Sequence, residues 1–344
     1  MTEPFQQNLP SLAEYRRELI AEGAPATLPH VPFSPAGLLA QLPPAPDGRT
    51  GWPWTSETPP FATAGHGASV EWPLFTIVTP SFRQADFLEE TIRSVLLQNY
   101  PRLEFIVMDG DSPDASPAVI EKYRPWLSYA RVARDRGQSN AINLGFSLAA
   151  DAGLRGWINS DDFYLPGTLR RVAEASRRGG DFFYGDGLEL IQSTGQTIHL
   201  FSNLASGRYV KFGGLVPQVS TFWLAERHQP LWEEQHCALD YELWIRLLPG
   251  LGLRHLGRPL AVARRHAAAK TYDPAMKHCW DEDARRNGLA HPRLYVPNFQ
   301  AGLLAREYRI VQRLWRVRHG LSLAKRLESV RRECRWDNAP TIHA

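Results

Sequence analysis

Cysteine is scarce: three in 344 residues, Cys237, Cys279 and Cys334, far apart and without a Cys-x-x-Cys pair. So sparse and odd a set supplies neither a disulfide framework nor a cysteine zinc site, and it fits a reducing compartment. Long apolar runs are missing as well. No stretch of 18 apolar residues occurs, so no membrane-crossing helix is expected. The first residues lack the basic-then-apolar pattern of a signal segment, and the expected location is the cytoplasm. Excess charge is small, at +3 from 39 Lys and Arg against 36 Asp and Glu, which argues against a nucleic-acid partner. There is no internal repeat and no evident Ser-His-Asp arrangement. What is present is a globular composition, 43% hydrophobic and 22% charged, in a length that suits one large domain or two ordinary ones.

Proline sets residues 1–72 apart. After a short helix expected over 11–22, the chain reads "PHVPFSPAGLLAQLPPAPDGRTGWPWTSETPP", too proline-rich for regular helix or central strand. It is either an irregular extension held to the main domain by Trp52 and Trp54 or a disordered tail.

Order begins at Leu74. The runs "LFTIVT" (74–79) and "LEFIVMD" (103–109) suit strands buried on both faces, with "YARVAR" (129–134) and "RGWI" (155–158) as the third and fourth. Between the first two, Asp86 reads as a helix N-cap with Glu89 at the capping-box position, and Leu88, Ile92, Val95 and Leu96 follow at helical spacing. Helices are also expected over 139–150 and over 166–178, the latter with Pro166 in its first turn. This alternation predicts parallel strands joined by right-handed crossovers. Beyond residue 186 it lapses into a hairpin about Ser193-Thr194-Gly195, a helix over 239–248 and two short strands, "LRHL" and "LAVARR". The expected fold is an α/β domain over 73–275, an open mixed sheet flanked by helices. A helical, Arg-rich segment, 276–344, follows. There, Leu304, Tyr308, Val311, Leu314 and Trp315 would form one apolar stripe within 303–335, divided at Gly320. That stripe either packs on the domain or makes a peripheral contact with an anionic membrane.

Ligands of open α/β sheets sit beyond the C-terminal strand ends. Asp109 ends the second expected strand, Asp135 follows the third, and Asp161 and Asp162 follow the fourth. Each alone reads as a loop or cap residue. Together they would repel one another unless a divalent cation, Mg²⁺ or Mn²⁺, joined them to substrate phosphates.

Four segments, in order and over more than half the chain, carry a resemblance: "TIVTPSFRQADFLEETIRSVLLQNYPRLEFIVMDGDSPDAS", "RDRGQSNAINLGF", "WINSDDFYLPG" and "ALDYELWIRL". The stretch from Leu74 to about Thr271 resembles the family 2 glycosyltransferases, nucleotide-sugar enzymes of the GT-A fold. The resemblance implies a nucleoside-diphosphate sugar donor, of which a UDP-sugar is the family-level expectation. It also implies a glycan or lipid-linked glycan acceptor in bacterial polysaccharide synthesis, and direct displacement with inversion. On it, Thr79, Pro80 and Ser81 match the base-and-ribose turn and Asp109 the acid that meets the nucleobase. Asp135, Gly137 and Gln138 match the loop over the diphosphate, with Asn143 one helical turn on and Asn140 where the family commonly has Asp. Asn159-Ser160-Asp161-Asp162 matches the Asp-x-Asp motif with Asn for its first acid. Metal would then rest on Asp161, Asp162 and His266, with Ser160 and Asp161 on the donor. Asp240 matches the general base, although Asp there also reads as a helix N-cap. Gln218, Trp244 and Arg246 are the acceptor-side candidates, Trp244 reading more readily as core and Arg246 as a diphosphate or acceptor contact.

Two other readings stand beside it. A catalytically silent sugar- or nucleotide-binding module would suit Asn140 and Asn159. A haloacid-dehalogenase-like phosphatase would use "FIVMDGDSP", but it wants a placed lysine, offers only Lys122, and leaves the strand at 74–79 unexplained.

Overall fold

A computed structural model describes residues 7–60, 72–200, 202, 216–290, 298–320, 323–335 and 342–343. Four parallel strands form the sheet's centre: β1 (Phe75–Ser81), β2 (Leu103–Asp109), β3 (Tyr129–Val132) and β4 (Leu154–Trp157), in the order β4-β1-β2-β3. The crossovers carry α2 (Ala85–Leu96), α3 (Ser116–Tyr123) and α4 (Gln138–Leu148); α1 (Leu12–Ala21) lies in the N-terminal extension. Every residue of β1 and β2 is buried, which is why these strands read as unbroken apolar runs. Alternation divides them between two cores. Phe75, Ile77, Phe105 and Val107 face one, with α2; Val78, Ile106 and Met108 face the other, with α4.

The second half of the sheet is mixed. After β5 (Phe163–Tyr164) and α5 (Thr168–Ser176) come β6 (Phe182–Ile191) and β7 (Gln196–Leu200), the expected hairpin. Then β8 (Thr221–Leu224) runs antiparallel to both β4 and β6. After α6 (Leu239–Leu247), β9 (Leu253–Arg265) pairs in parallel with β6 and antiparallel with β5. The two short strands expected here are therefore one 13-residue strand. A register shift opposite Asp186 lets it pass through Gly257-Arg258-Pro259 without breaking. Helices α7 (Lys277–Ala290), α8 (Asn298–Gly320) and α9 (Leu323–Cys334) follow, divided at Gly320 as expected, and β10 (Ile342–His343) pairs with β7.

Two caps differ from expectation. Helix α2 starts at Ala85, and Asp86 lies inside its first turn. Its leading amides are met from the next crossover: Asp114 Oδ2 accepts from Ala85 N and Ser116 Oγ from Gln84 N. Glu89 instead accepts from Lys122 and the Tyr123 hydroxyl. Helix α5 begins at Thr168, after a left-handed Gly167, so Pro166 precedes it.

The proline-rich extension is packed, not a tail, over its described length. Ser11 caps α1, whose Tyr15 and Leu19 enter the second core. Val31, Leu38, Leu42 and Trp52 enter the first, and the Trp52 indole donates to Tyr164 O at 2.7 Å. A buried arginine holds this segment. The Arg93 guanidinium donates to the carbonyls of Pro43, Pro53 and Trp54 and to the Tyr123 hydroxyl. Arg93→Met should strand the buried Pro53 and Trp54 carbonyls, at about 1–3 kcal/mol each, a loss of about 2–6 kcal/mol in all. Urea unfolding measures it; an unchanged midpoint would mean that the extension is held without Arg93.

Candidate active site

A cavity of about 780 Å³ opens at the C-terminal ends of β1, β2 and β4. Pro80 and Ser81 carry β1 into it, whereas Thr79 stays buried in the sheet and does not reach it. Asp109 does not line it either. Its carboxylate accepts from the Ser81 hydroxyl and from the Ser112 hydroxyl and amide, all at 2.8 Å, and so braces the β1 turn. Gly110 lines the cavity in its place, and a Cβ there would come within 2.9 Å of Asp135 Oδ2.

The second wall is the loop entering α4. Asp135 Oδ1 accepts from Gly137 N, and Gly137 has φ 110°, a left-handed conformation that favours glycine. Burial raises the Asp135 carboxyl, against that stabilising amide. Gln138 donates to Asn159 Oδ1 at 2.8 Å and accepts from Lys270 Nζ at 3.1 Å. Asn143 is fully buried away from the cavity, bonded both ways to the Leu231 backbone and to Glu233. It is a strut, not a donor contact. Asn140 braces the same loop: it accepts from Arg136 N and donates to Glu233, which also receives Tyr15 of α1.

At the end of β4 the paired carboxylates separate. Asp162 turns inward, 5% exposed, accepting from Arg264 N at 2.8 Å and Asn159 Nδ2 at 3.2 Å. Burial, then the neighbouring Asp161 charge, pushes its carboxyl well above the ordinary range. Asp162 also borders the cavity beside Asp161, but its two oxygens already accept from Arg264 N and Asn159 Nδ2. Asp161 lines the cavity, with Oδ2 3.0 Å from His266 Nε2 just past β9. The His266 ring lies 4.6 Å from that of Phe87. This pair sets a carboxylate oxygen beside an imidazole nitrogen at the strand end; among the described residues no cluster of three such side chains occurs.

Facing the cavity from α6 is Asp240, in the first helical turn, not at the cap. Its Oδ1 accepts from Tyr241 N, and burial raises its carboxyl above the ordinary aspartate range. The helix entry is held from outside. Asp283 of α7 accepts from the amides of His236, Cys237 and Ala238 at 2.7–2.9 Å. Cys237 and Cys279, remote in sequence, meet here as free thiols 2.8 Å apart, and burial with the adjoining thiol raises Cys237 to about 12.

Of the acceptor-side candidates, Gln218 lines the cavity and donates to Trp157 O. Trp244 is core, stacked on Trp157 at 5.8 Å. Arg246 is also withdrawn from the cavity, gripping Glu242 with two 2.7 Å bonds and reaching Gln229 and Pro230 O. Sequence reasoning passed over Lys270, Tyr272 and Trp280, which line the cavity from the β9–α7 connection and α7, and over Asp283. None of them lies in a periodic or motif-bearing stretch that would have marked it.

The profile described as Glycosyl transferase family 2 matches residues 76–224, from β1 through β8. Over that stretch the chain is similar to the family 2 glycosyltransferases. The succinoglycan biosynthesis protein ExoO of Rhizobium meliloti (strain 1021) is 31% identical over 140 residues, 40% of this chain and 39% of that protein. The uncharacterized glycosyltransferase alr2836 of Nostoc sp. (strain PCC 7120) is 24% identical over 243 residues, 65% of this chain and 74% of that one. Among solved structures, S. aureus TarS 1–349 in complex with UDP superposes with a TM-score of 0.52 at 16% identity, covering 68% of this chain and 70% of TarS. That likeness is one of fold. The matched stretch spans about two fifths of ExoO. The matched region ends before α6, so Asp240, which lines the cavity, and His266, which meets Asp161 there, both lie outside the profile.

Proposed function

We propose that this domain transfers a sugar, with inversion, from a nucleoside-diphosphate sugar to an acceptor hydroxyl during bacterial glycan synthesis. The observation that carries this reading is a single cavity lined by Asp161 from the end of β4 and by Asp240 from α6. One acidic centre suits a cation that would meet the leaving diphosphate, and the other suits the attacking hydroxyl. Asp240 removes the acceptor's proton as its oxygen bonds to the anomeric carbon. The nucleoside diphosphate departs from the opposite face, so the configuration inverts without a covalent enzyme intermediate. A divalent cation, Mn²⁺ or Mg²⁺, held by Asp161 and His266, would offset the charge on the leaving diphosphate. The carboxylate oxygen and imidazole nitrogen of this pair are of the kind that would hold such an ion. Lys270 adds a positive charge at the same wall, and Ser81, Gly110 and Gly137 leave room for a nucleotide against the backbone. UDP is the nucleotide of choice because it is bound in the TarS complex, and ExoO's assignment to succinoglycan biosynthesis supports a polysaccharide acceptor.

A nucleotide screen by thermal shift tests the donor site. A diphosphate present at a hundred times its Kd should stabilise the fold by about 2.7 kcal/mol. UDP with Mn²⁺ should raise the melting temperature more than UDP with chelator. No shift with UDP, GDP or dTDP, with or without Mn²⁺, would overturn the reading.

A further inference from the structure

Six large apolar side chains are exposed among the described residues. Two of them, Phe82 and Tyr272, line the cavity already assigned. The other four lie on one helix: Leu303, Ile310, Leu314 and Val317 of α8, each 54–65% exposed. Their steps of seven, four and three residues put them on one face. This is not the stripe expected from sequence. Tyr308, Val311 and Trp315 are half-buried, whereas Leu314 is exposed and the Leu304 side chain lies outside the described residues. The inner side of α8 is fixed to the domain. The Trp315 indole donates to Ser202 O at 3.2 Å and meets the His255 ring edge-on at 5.0 Å, and Gln312 is buried. At 100° per residue the four exposed residues point about 100–160° away from Trp315. The helix therefore carries two apolar faces, and the fold covers only one.

Charge identifies what covers the other. Arg306, Arg309, Arg313 and Arg318 are exposed alongside the stripe, and Glu307 is the sole acidic residue of α8. Two copies of this face would set arginines against arginines. Among the described residues no helix is long and apolar enough to cross a membrane, so α8 would lie along a surface. We propose that the outer face of α8 is a docking surface for an anionic phospholipid bilayer. Leu303, Ile310, Leu314 and Val317 enter the headgroup–acyl boundary, and the flanking arginines meet lipid phosphates. This holds or fails separately from the sugar-transfer reading, since none of these residues lines the cavity.

Co-sedimentation of the full chain with vesicles tests it. The protein should bind vesicles of phosphatidylcholine containing about one third phosphatidylglycerol, release as salt rises, and ignore phosphatidylcholine alone. Ile310→Ser with Leu314→Ser should lower the bound fraction about tenfold with the melting temperature unchanged, because both side chains already face solvent. Arg309→Gln with Arg313→Gln should weaken binding too, which keeps the test decisive should the apolar pair lower stability. A protein that stays in the supernatant with anionic vesicles, or variants that bind as well as the parent, would overturn the proposal. So would light scattering that shows a dimer dissolved by the Ile310/Leu314 pair, since a second copy would then be the occupant.

Discussion

Asp240→Asn is expected to reduce sugar transfer by about 10²–10⁴-fold, the usual contribution of a positioned general base, while leaving nucleotide binding and melting temperature near those of the parent. The selectivity follows from the local structure. Asn keeps the size and can still accept from Tyr241 N, the one hydrogen bond seen for the Asp240 side chain. Helix capping is not at risk, because Asp283 holds the entry to α6 through three backbone amides. What Asn cannot do is take a proton as a carboxylate does. Burial raises the Asp240 carboxyl, so the acid limb of the kcat/KM profile should lie above the ordinary aspartate value of about 3.9. For stability the sign is the reverse of the usual carboxylate case. A folded-state value above the unfolded one favours the protonated form in the fold. That contribution is present at low pH and is lost as pH rises through the unfolded and then the folded value. Asp240→Asn should therefore be no less stable than the parent at neutral pH. Nearly full transfer by the variant, with a verified acceptor, would remove Asp240 from the mechanism; loss of donor binding as well would move it to the donor site.

The parts of this fold that the sequence made legible are those where one local signal decides the structure. β1 and β2 are buried on both faces, and no other element explains runs such as "FTIV" or "LEFIV". Asp161 was legible from its place after a strand. What escaped depended on partners distant in the chain. Asp86 has the right chemistry for a cap, but Asp114 and Ser116 reach the α2 amides from the neighbouring crossover. Asp161 and Asp162 are adjacent and chemically identical, and only the approach of Arg264 N on β9 turns the second one inward. Arg246 shares a helix with Asp240, yet six residues at 100° each rotate it about 120° away, onto Glu242. Lys270 and Tyr272 come from an irregular connection, where no periodicity exists to mark an inward face. Cys237 and Cys279 were read as remote because sequence separation says nothing of the α7 packing that joins them.

That division between the paired carboxylates makes opposite predictions for neighbouring residues. Asp161→Asn should abolish the cation-dependent part of nucleotide affinity while leaving the melting temperature near that of the parent. Its side chain faces the cavity, and its carboxylate meets His266, a pairing that a bound cation would replace. Loss of partners behind a metal ligand typically costs about 10–100-fold in metal affinity, so removing the charge of the ligand itself should cost no less. Asp162→Ala should do the reverse. It leaves Arg264 N without its acceptor in a buried setting, at about 1–3 kcal/mol, and Asn159 also loses a bond. The cost should be greatest at low pH. The raised Asp162 carboxyl is stabilised by the fold in its protonated form, and that contribution fades as pH rises through its folded value. Titration calorimetry of UDP with Mn²⁺ or with chelator, alongside thermal melts across pH, separates the two variants. Equal cation dependence in Asp161→Asn and the parent would strip Asp161 of its role on the diphosphate. Loss of cation dependence in Asp162→Ala without a fall in stability would mean that its inward turn is not what fixes it, and that it joins Asp161 at the cation when the donor is bound.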